Sequence, residues 1–220
     1  KTITGVQDAG VQACAKHWVG NEQEILRNPL YENENDNTEA TTAALSSNID
    51  DRTMHELYMW PFANAAKARA ASFMCSYQRI NGSYGCQNSA SQNGLLKTEL
   101  GFQGYVMSDW GATHTGVAAI EAGLDMNMPG GLGAYGLNFG TPSYFGGNIT
   151  LAVNNGSLDM SRVDDMVMRI MTPYFQLGQD QDFPSADPSG ADLNTFSPRS
   201  TWTREYNLTG EVSRDVRGNH

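Results

Sequence analysis

Gly104-Tyr105-Val106-Met107-Ser108-Asp109-Trp110-Gly111 begins as a short apolar run and ends in a carboxylate, an indole and a glycine. A run of this length that leads into a polar or glycine-bearing loop reads as a strand. Three more runs share the form: Ala13 to Trp18, Ala71 to Tyr77 and Gly123 to Met128. Longer segments of helical period alternate with them, which is the mark of βα units and a parallel sheet. The fold class read from this alternation is α/β.

The intervening helices have their own signals. Met54, Leu57, Tyr58 and Phe62 recur at helical spacing behind Asp51, which is expected to be the N-cap, and Pro61 marks a bend or the start of a second helix. Leu95, Leu96 and Leu100 predict a helix from about Ser91 to Leu100, stopped by Gly101. A shorter helix is expected after Trp110. The strongest pattern runs from Asp159, a cap, through Val163, Val167, Ile170 and Tyr174 to Gly178. Beyond it, Pro184, Pro188 and Pro198 stand among Asp, Ser, Gly and Asn, so 179–220 reads as an irregular linker and 1–178 as the folded part.

Four βα units are too few to close an eight-stranded barrel, and an open set would leave two sheet edges bare. The missing strands are expected from another stretch of polypeptide. Both ends of the chain, Lys1 and His220, read as cut.

Composition narrows the function classes. Asp and Glu number 24 against 14 Lys and Arg, a net charge of −10 that makes nucleic acid a poor partner. No apolar run approaches the roughly 20 residues of a membrane span. Sequons at Asn81-Gly-Ser, Asn148-Ile-Thr, Asn155-Gly-Ser and Asn207-Leu-Thr point to a secreted, extracellular glycoprotein. Cys75 and Cys86 bracket a segment able to double back and close a disulfide, whereas Cys14, among small residues, reads as a buried core position. No CxxC or HxxxH spacing suggests a metal.

In parallel α/β folds function gathers at the carboxyl ends of the strands. Those ends are polar here: Lys16-His17, Tyr77-Gln78-Arg79, Ser108-Asp109-Trp110 and Asp125-Met126-Asn127-Met128. A carboxylate can attack an anomeric carbon while a neighbouring aromatic packs on the C–H face of the sugar, so Asp109 and Trp110 suit a carbohydrate site. Asp109 read as a cap for the following helix is the competing account. Lys16 and His17 could hold two hydroxyls, or be a surface lysine and a histidine satisfied by backbone. Met74 and Met128 by themselves read as core filler.

Lys16-His17-Trp18-Val19-Gly20-Asn21-Glu22-Gln23-Glu24, Asp51-Arg52-Thr53-Met54-His55-Glu56-Leu57-Tyr58, Met74-Cys75-Ser76-Tyr77, Gly104 to Ala112 and Gly123 to Gly130 together resemble family 3 glycoside hydrolases, in their fungal β-glucosidase branch. The resemblance extends to about residue 178. It implies a TIM-like (β/α) barrel, of which this chain matches the later half and the linker that follows. It implies Asp109 as the nucleophile of a retaining β-glucosidase, acting on terminal β-D-glucosyl residues of cellobiose, short cello-oligosaccharides and aryl glucosides. Trp110 shapes the sugar site, Lys16 and His17 hold hydroxyls, Arg27 makes a further polar contact, and Met74 and Tyr77 form walls. Tyr77 is also expected to hydrogen-bond the nucleophile.

The family's acid/base glutamate belongs to a later α/β sandwich domain, so none is assigned here, and Glu22, Glu24 and Glu56 do not match it. The implied partners are the substrate and the remaining early-barrel and sandwich segments. No cofactor is implied. β-Xylosidase, N-acetylglucosaminidase and a noncatalytic carbohydrate-binding fragment are the alternatives.

Overall fold

The computed structural model describes residues 1–30, 40–131 and 143–181. Lys1–Gln179 forms one compact unit; Asp180–His220 forms a second, of which Asp180 and Gln181 are described. The linker expected over 179–220, with Pro184, Pro188, Pro198 and the Asn207 sequon, therefore lies almost wholly outside the described residues.

Three parallel strands carry the first unit: β1 (Cys14–Trp18), β3 (Ser72–Cys75) and β6 (Tyr105–Ser108), in the order β1-β3-β6. Ala15, Phe73 and Val106 are aligned across the sheet, as are Lys16, Met74 and Met107 one residue on. Strand side chains alternate between faces, so these are two rows on opposite sides. Phe73 and Val106 are fully buried, and Phe73 meets Phe62, Trp18 and Phe102 with ring centroids 4.5–6.0 Å apart. The Trp18 indole N–H donates to Ser91 Oγ at 3.2 Å, joining this core to the helix over it.

The fourth expected strand, Gly123 to Met128, is reduced to a single parallel bridge between Met107 and Met126. The cause is local. The Val106 N–H donates to the side-chain Oδ2 of Asp125 instead of to a backbone carbonyl, and both Asp125 N–H and Met126 N–H converge on Val106 O. A ladder needs each of these groups paired once with the next strand.

The helices stand close to their expected places, with differences that follow from geometry. Asp50, not Asp51, caps α2 (Asp51–Thr53): its backbone is extended while Asp51 is already helical, and its carboxylate accepts from Thr53 N and Thr53 Oγ1. The helix widens to a π turn over Met54–Tyr58, and this carries Leu57 off the buried face, leaving it 60% exposed. Pro61 stands in the first turn of α3 (Trp60–Lys67), where its missing N–H costs nothing. A second π-type helix covers Ala90–Glu99. After β6 come α4 (Val117–Glu121), α5 (Gly147–Asn154) and α6 (Met160–Gln176), the last capped by Asp159 through Ser161 N. Val163, Met166 and Pro173 form the packed face of α6, whereas Val167 turns outward.

Three features were not foreseen: α1 (Thr2–Asp8), α5, and a small sheet of β2 (Ser46–Ser47), β4 (Arg79–Ile80) and β5 (Ser83–Tyr84). The β4–β5 hairpin turns at Asn81, whose left-handed φ of 46° suits asparagine. The Cys75–Cys86 disulfide ties the end of β3 to the turn after this hairpin, with Cα atoms 5.2 Å apart. Cys14 is not the buried residue expected: it is exposed, because β1 is an edge strand and Cys14 lies on the face opposite the aromatic core.

Candidate active site

Three strand ends converge on one carboxylate. Asp109 follows β6 directly, and its side chain is 12% exposed. The His17 imidazole, from the end of β1, places Nε2 3.1 Å from Asp109 Oδ2. The Tyr77 hydroxyl, from the loop after β3, lies 3.0 Å from Asp109 Oδ1 and 2.9 Å from the Trp110 carbonyl, so these two acceptors compete for its one proton. Trp110 N–H donates to Oδ1 at 2.7 Å. The carboxylate thus faces the neighbouring loop tips and is not turned behind its own strand.

His17 reaches this position through an irregularity. The register between β1 and β3 slips between Lys16 and Trp18, so that two residues of β1 oppose one of β3. The additional residue escapes strict alternation, which is how bulges re-aim a side chain beside an active site. Burial pushes the His17 imidazole below its usual range, against the opposing pull of Asp109. A neutral imidazole facing a carboxylate must carry its proton on Nε2 to donate to Oδ2.

The helix-cap account of Asp109 does not hold, since α4 begins at Val117 with Gly116 before it. The Asp109 carbonyl instead accepts Ala112 N–H, and Gly111 N–H donates to Met128 O, which closes a tight turn after the strand.

The other anticipated residues lie as follows. Lys16 shares a row with buried Met74 and is itself exposed. Arg27 lies with Cζ 4.3 Å over the Tyr77 ring and is ion-paired to Glu24, Nη1 to Oε2 2.7 Å. Trp110 is partly exposed beside the carboxylate.

Asp125, at the last polar strand end, is not part of this group. It is fully buried between Lys97 (2.9 Å) and Arg162 (2.8 Å), and it fastens the sheet to α6. Gln78 and Arg79 are likewise occupied with the backbone, donating to Val19 O and Ala44 O.

Among the sequons, Asn81 is exposed but its amide bonds both Ile49 N and Ile49 O. Asn148 lies in α5 and donates to Ser143 O, and Asn155 follows the end of that helix.

Sequence reasoning missed His114. Its ring meets that of Tyr84 at a tilt of 44° with centroids 4.2 Å apart, its Nε2 has no hydrogen-bond partner among the described residues, and burial pushes its pKa down to about 4. Among the described residues no group of three or more His, Cys, Asp or Glu could hold a metal ion, and no helix is long and apolar enough to cross a membrane. A cavity of about 240 Å³ bounded by Val117, Ile120, Tyr144, Ile149 and Ala152 shares no lining residue with the Asp109 site.

A carboxylate at the carboxyl end of a parallel strand stands where parallel α/β folds gather their functional groups. The chain belongs to glycosyl hydrolase family 3: residues 1–172 match the family's N terminal domain.

It is 71% identical over 223 residues to "Probable beta-glucosidase G" of Emericella nidulans and 55% identical over 228 residues to "Probable beta-glucosidase M" of Aspergillus fumigatus. In both cases all of this chain corresponds to 27% of the relative, so it spans about a quarter of their length. Among solved structures it is similar to a Chaetomium thermophilum beta-glucosidase (TM-score 0.74, 54% identity, 84% of this chain and 21% of that one). It is also similar to the Thermotoga neapolitana beta-glucosidase 3B solved with glucose (TM-score 0.68, 30% identity, 82% and 23%).

Proposed function

We propose that the chain supplies the nucleophile side of a retaining β-glucosidase, with Asp109 Oδ2 as the attacking atom. The observation that carries this is the unequal use of the two carboxylate oxygens. Oδ1 takes the Trp110 N–H and lies within reach of the Tyr77 hydroxyl, whereas Oδ2 has His17 alone among the described residues. A carboxylate oxygen has two lone pairs, so Oδ2 keeps one for the anomeric carbon.

In the reading proposed, Lys16 and His17 hold glucose hydroxyls while Met74, Tyr77 and Trp110 wall the ring. Oδ2 attacks C1 as the glycosidic C–O bond breaks, and a covalent glucosyl-Asp109 forms. The leaving oxygen takes a proton from a second carboxyl group, which in retaining enzymes stands about 5–5.5 Å from the first. That group then deprotonates the water that releases glucose. Among the described residues, Glu24 is paired with Arg27 and Glu56 with Arg52 on the surface, so neither is assigned this second role.

The acid/base residue, the early strands of a (β/α) barrel and a following sandwich domain are assigned to further polypeptide, of which the greater length of the relatives is the support. Terminal β-D-glucosyl units of cellobiose, cello-oligosaccharides and aryl glucosides are the proposed substrates. The sequons and the disulfide support a secreted, extracellular protein.

The test is Asp109→Asn in a polypeptide of the relatives' full length. Turnover of an aryl glucoside is expected to fall by about 10³-fold or more, with glucose binding retained. Near-normal turnover would falsify the assignment. A noncatalytic carbohydrate-binding role would show as sugar binding by the full-length protein with no turnover before any substitution.

A further inference from the structure

We infer that Arg27, oriented by Glu24, is a positioning residue that acts on Asp109 through the Tyr77 ring. This rests on Asp109 being the nucleophile. The resemblance implies a sugar contact for Arg27, but the geometry gives its guanidinium a different object: Cζ stands 4.3 Å above the Tyr77 ring centroid.

The opposite end of that ring is its hydroxyl, 3.0 Å from Asp109 Oδ1. A cation on the ring face is attracted to the π cloud and draws electron density from the phenol oxygen, which makes the O–H a stronger donor to the carboxylate. It also fixes the ring plane, and with it the hydroxyl position between Asp109 and the Trp110 carbonyl.

Glu24 sets the guanidinium in place. The two residues are three apart, Arg27 N–H donates to Glu24 O at 3.3 Å, and the side chains pair at 2.7 Å. Glu24 is 69% exposed and Arg27 28%, so solvent screens their attraction and its contribution is orientation more than energy. The planar fork of arginine suits both tasks at once, stacking with its face and bonding with its edge. A lysine could do one of the two.

The experiment is pH-resolved kinetics of the full-length enzyme with Arg27→Met, Arg27→Lys, Tyr77→Phe and the Arg27→Met/Tyr77→Phe double variant. On a glucoside whose slow step is bond cleavage, Arg27→Met should lower kcat about fivefold and leave KM within about twofold. The acid limb of its kcat/KM profile should move to higher pH, as in Tyr77→Phe, and Arg27→Lys should restore part of the loss. In the Tyr77→Phe background Arg27→Met should add little, because the ring can no longer pass the effect on.

A raised KM with unchanged kcat, or a full additional loss in the Tyr77→Phe background, would make Arg27 a direct sugar contact and overturn the proposal. So would a lowered unfolding midpoint with an unmoved acid limb, or no change at all. Failure of the nucleophile assignment itself reads out separately, as turnover surviving in Asp109→Asn.

Discussion

Tyr77 and Asp109, separated by 32 residues, meet at 3.0 Å between the phenol oxygen and Oδ1 at the ends of adjacent parallel strands. The phenol is almost fully buried. Asp109 and the Trp110 carbonyl both lie within reach of its proton, and a charged acceptor forms the stronger bond.

Tyr77→Phe in the full-length enzyme is therefore expected to move the acid limb of kcat/KM toward higher pH, because the bond lost by the anionic carboxylate is stronger than the one lost by its protonated form. The loss in kcat should be about tenfold, through the loosened orientation of the attacking carboxylate. A pH–rate profile superimposable on that of the parent enzyme would refute it.

Asp125 answers to two cations and a backbone N–H at once, with Lys97, Arg162 and Val106 all within 2.9 Å. Burial draws the Lys97 ammonium down to about 8 even with this carboxylate beside it. Asp125→Asn leaves the buried Lys97 without its counter-charge, while Arg162 keeps Asp165, and breaking a buried ion pair in this way costs about 3–5 kcal/mol. Denaturant unfolding should show it as a large drop in midpoint, far beyond that of Arg52→Ala at the exposed Arg52–Glu56 pair.

The Cys75–Cys86 bond closes a short loop, its cysteines 11 residues apart, and both cysteines are buried. Replacing both by serine is expected to remove about 2–4 kcal/mol of stability. Because Cys75 ends the strand that leads to Tyr77, hydrogen exchange should rise in Ser76 to Gln87 before it rises in β6.

His114 has a pKa of about 4 in the folded chain against 6.5 for the free side chain. Between those values the unfolded chain binds a proton that the folded chain does not, so this residue's contribution is intact above 6.5 and is lost as pH falls toward 4. The unfolding midpoint of a His114→Phe variant should fall less steeply across that window than that of the parent. Equal slopes in melts recorded from pH 7 to pH 4 would contradict the assignment.

Much of this was legible in local pattern. Apolar runs located β1, β3 and β6, the Asp159 and Gly178 signals bounded α6, and paired cysteines announced the disulfide. Local pattern failed where a side chain competed with the backbone. Asp125 took the N–H that a fourth strand needed, and a π turn displaced Leu57 from an otherwise regular stripe. Cys14 was misjudged because its small apolar neighbours suggest burial, whereas its exposure depends on which face of an edge strand it occupies.

The order of residues along the chain determines which groups stand at strand ends, since a strand's direction and its last residue are local properties. That is enough to nominate His17, Tyr77 and Asp109 together. Whether three such ends share one carboxylate is decided by sheet order and by the register slip at His17. Distances of about 3 Å between residues tens of positions apart arise from packing, and packing is set by the whole fold.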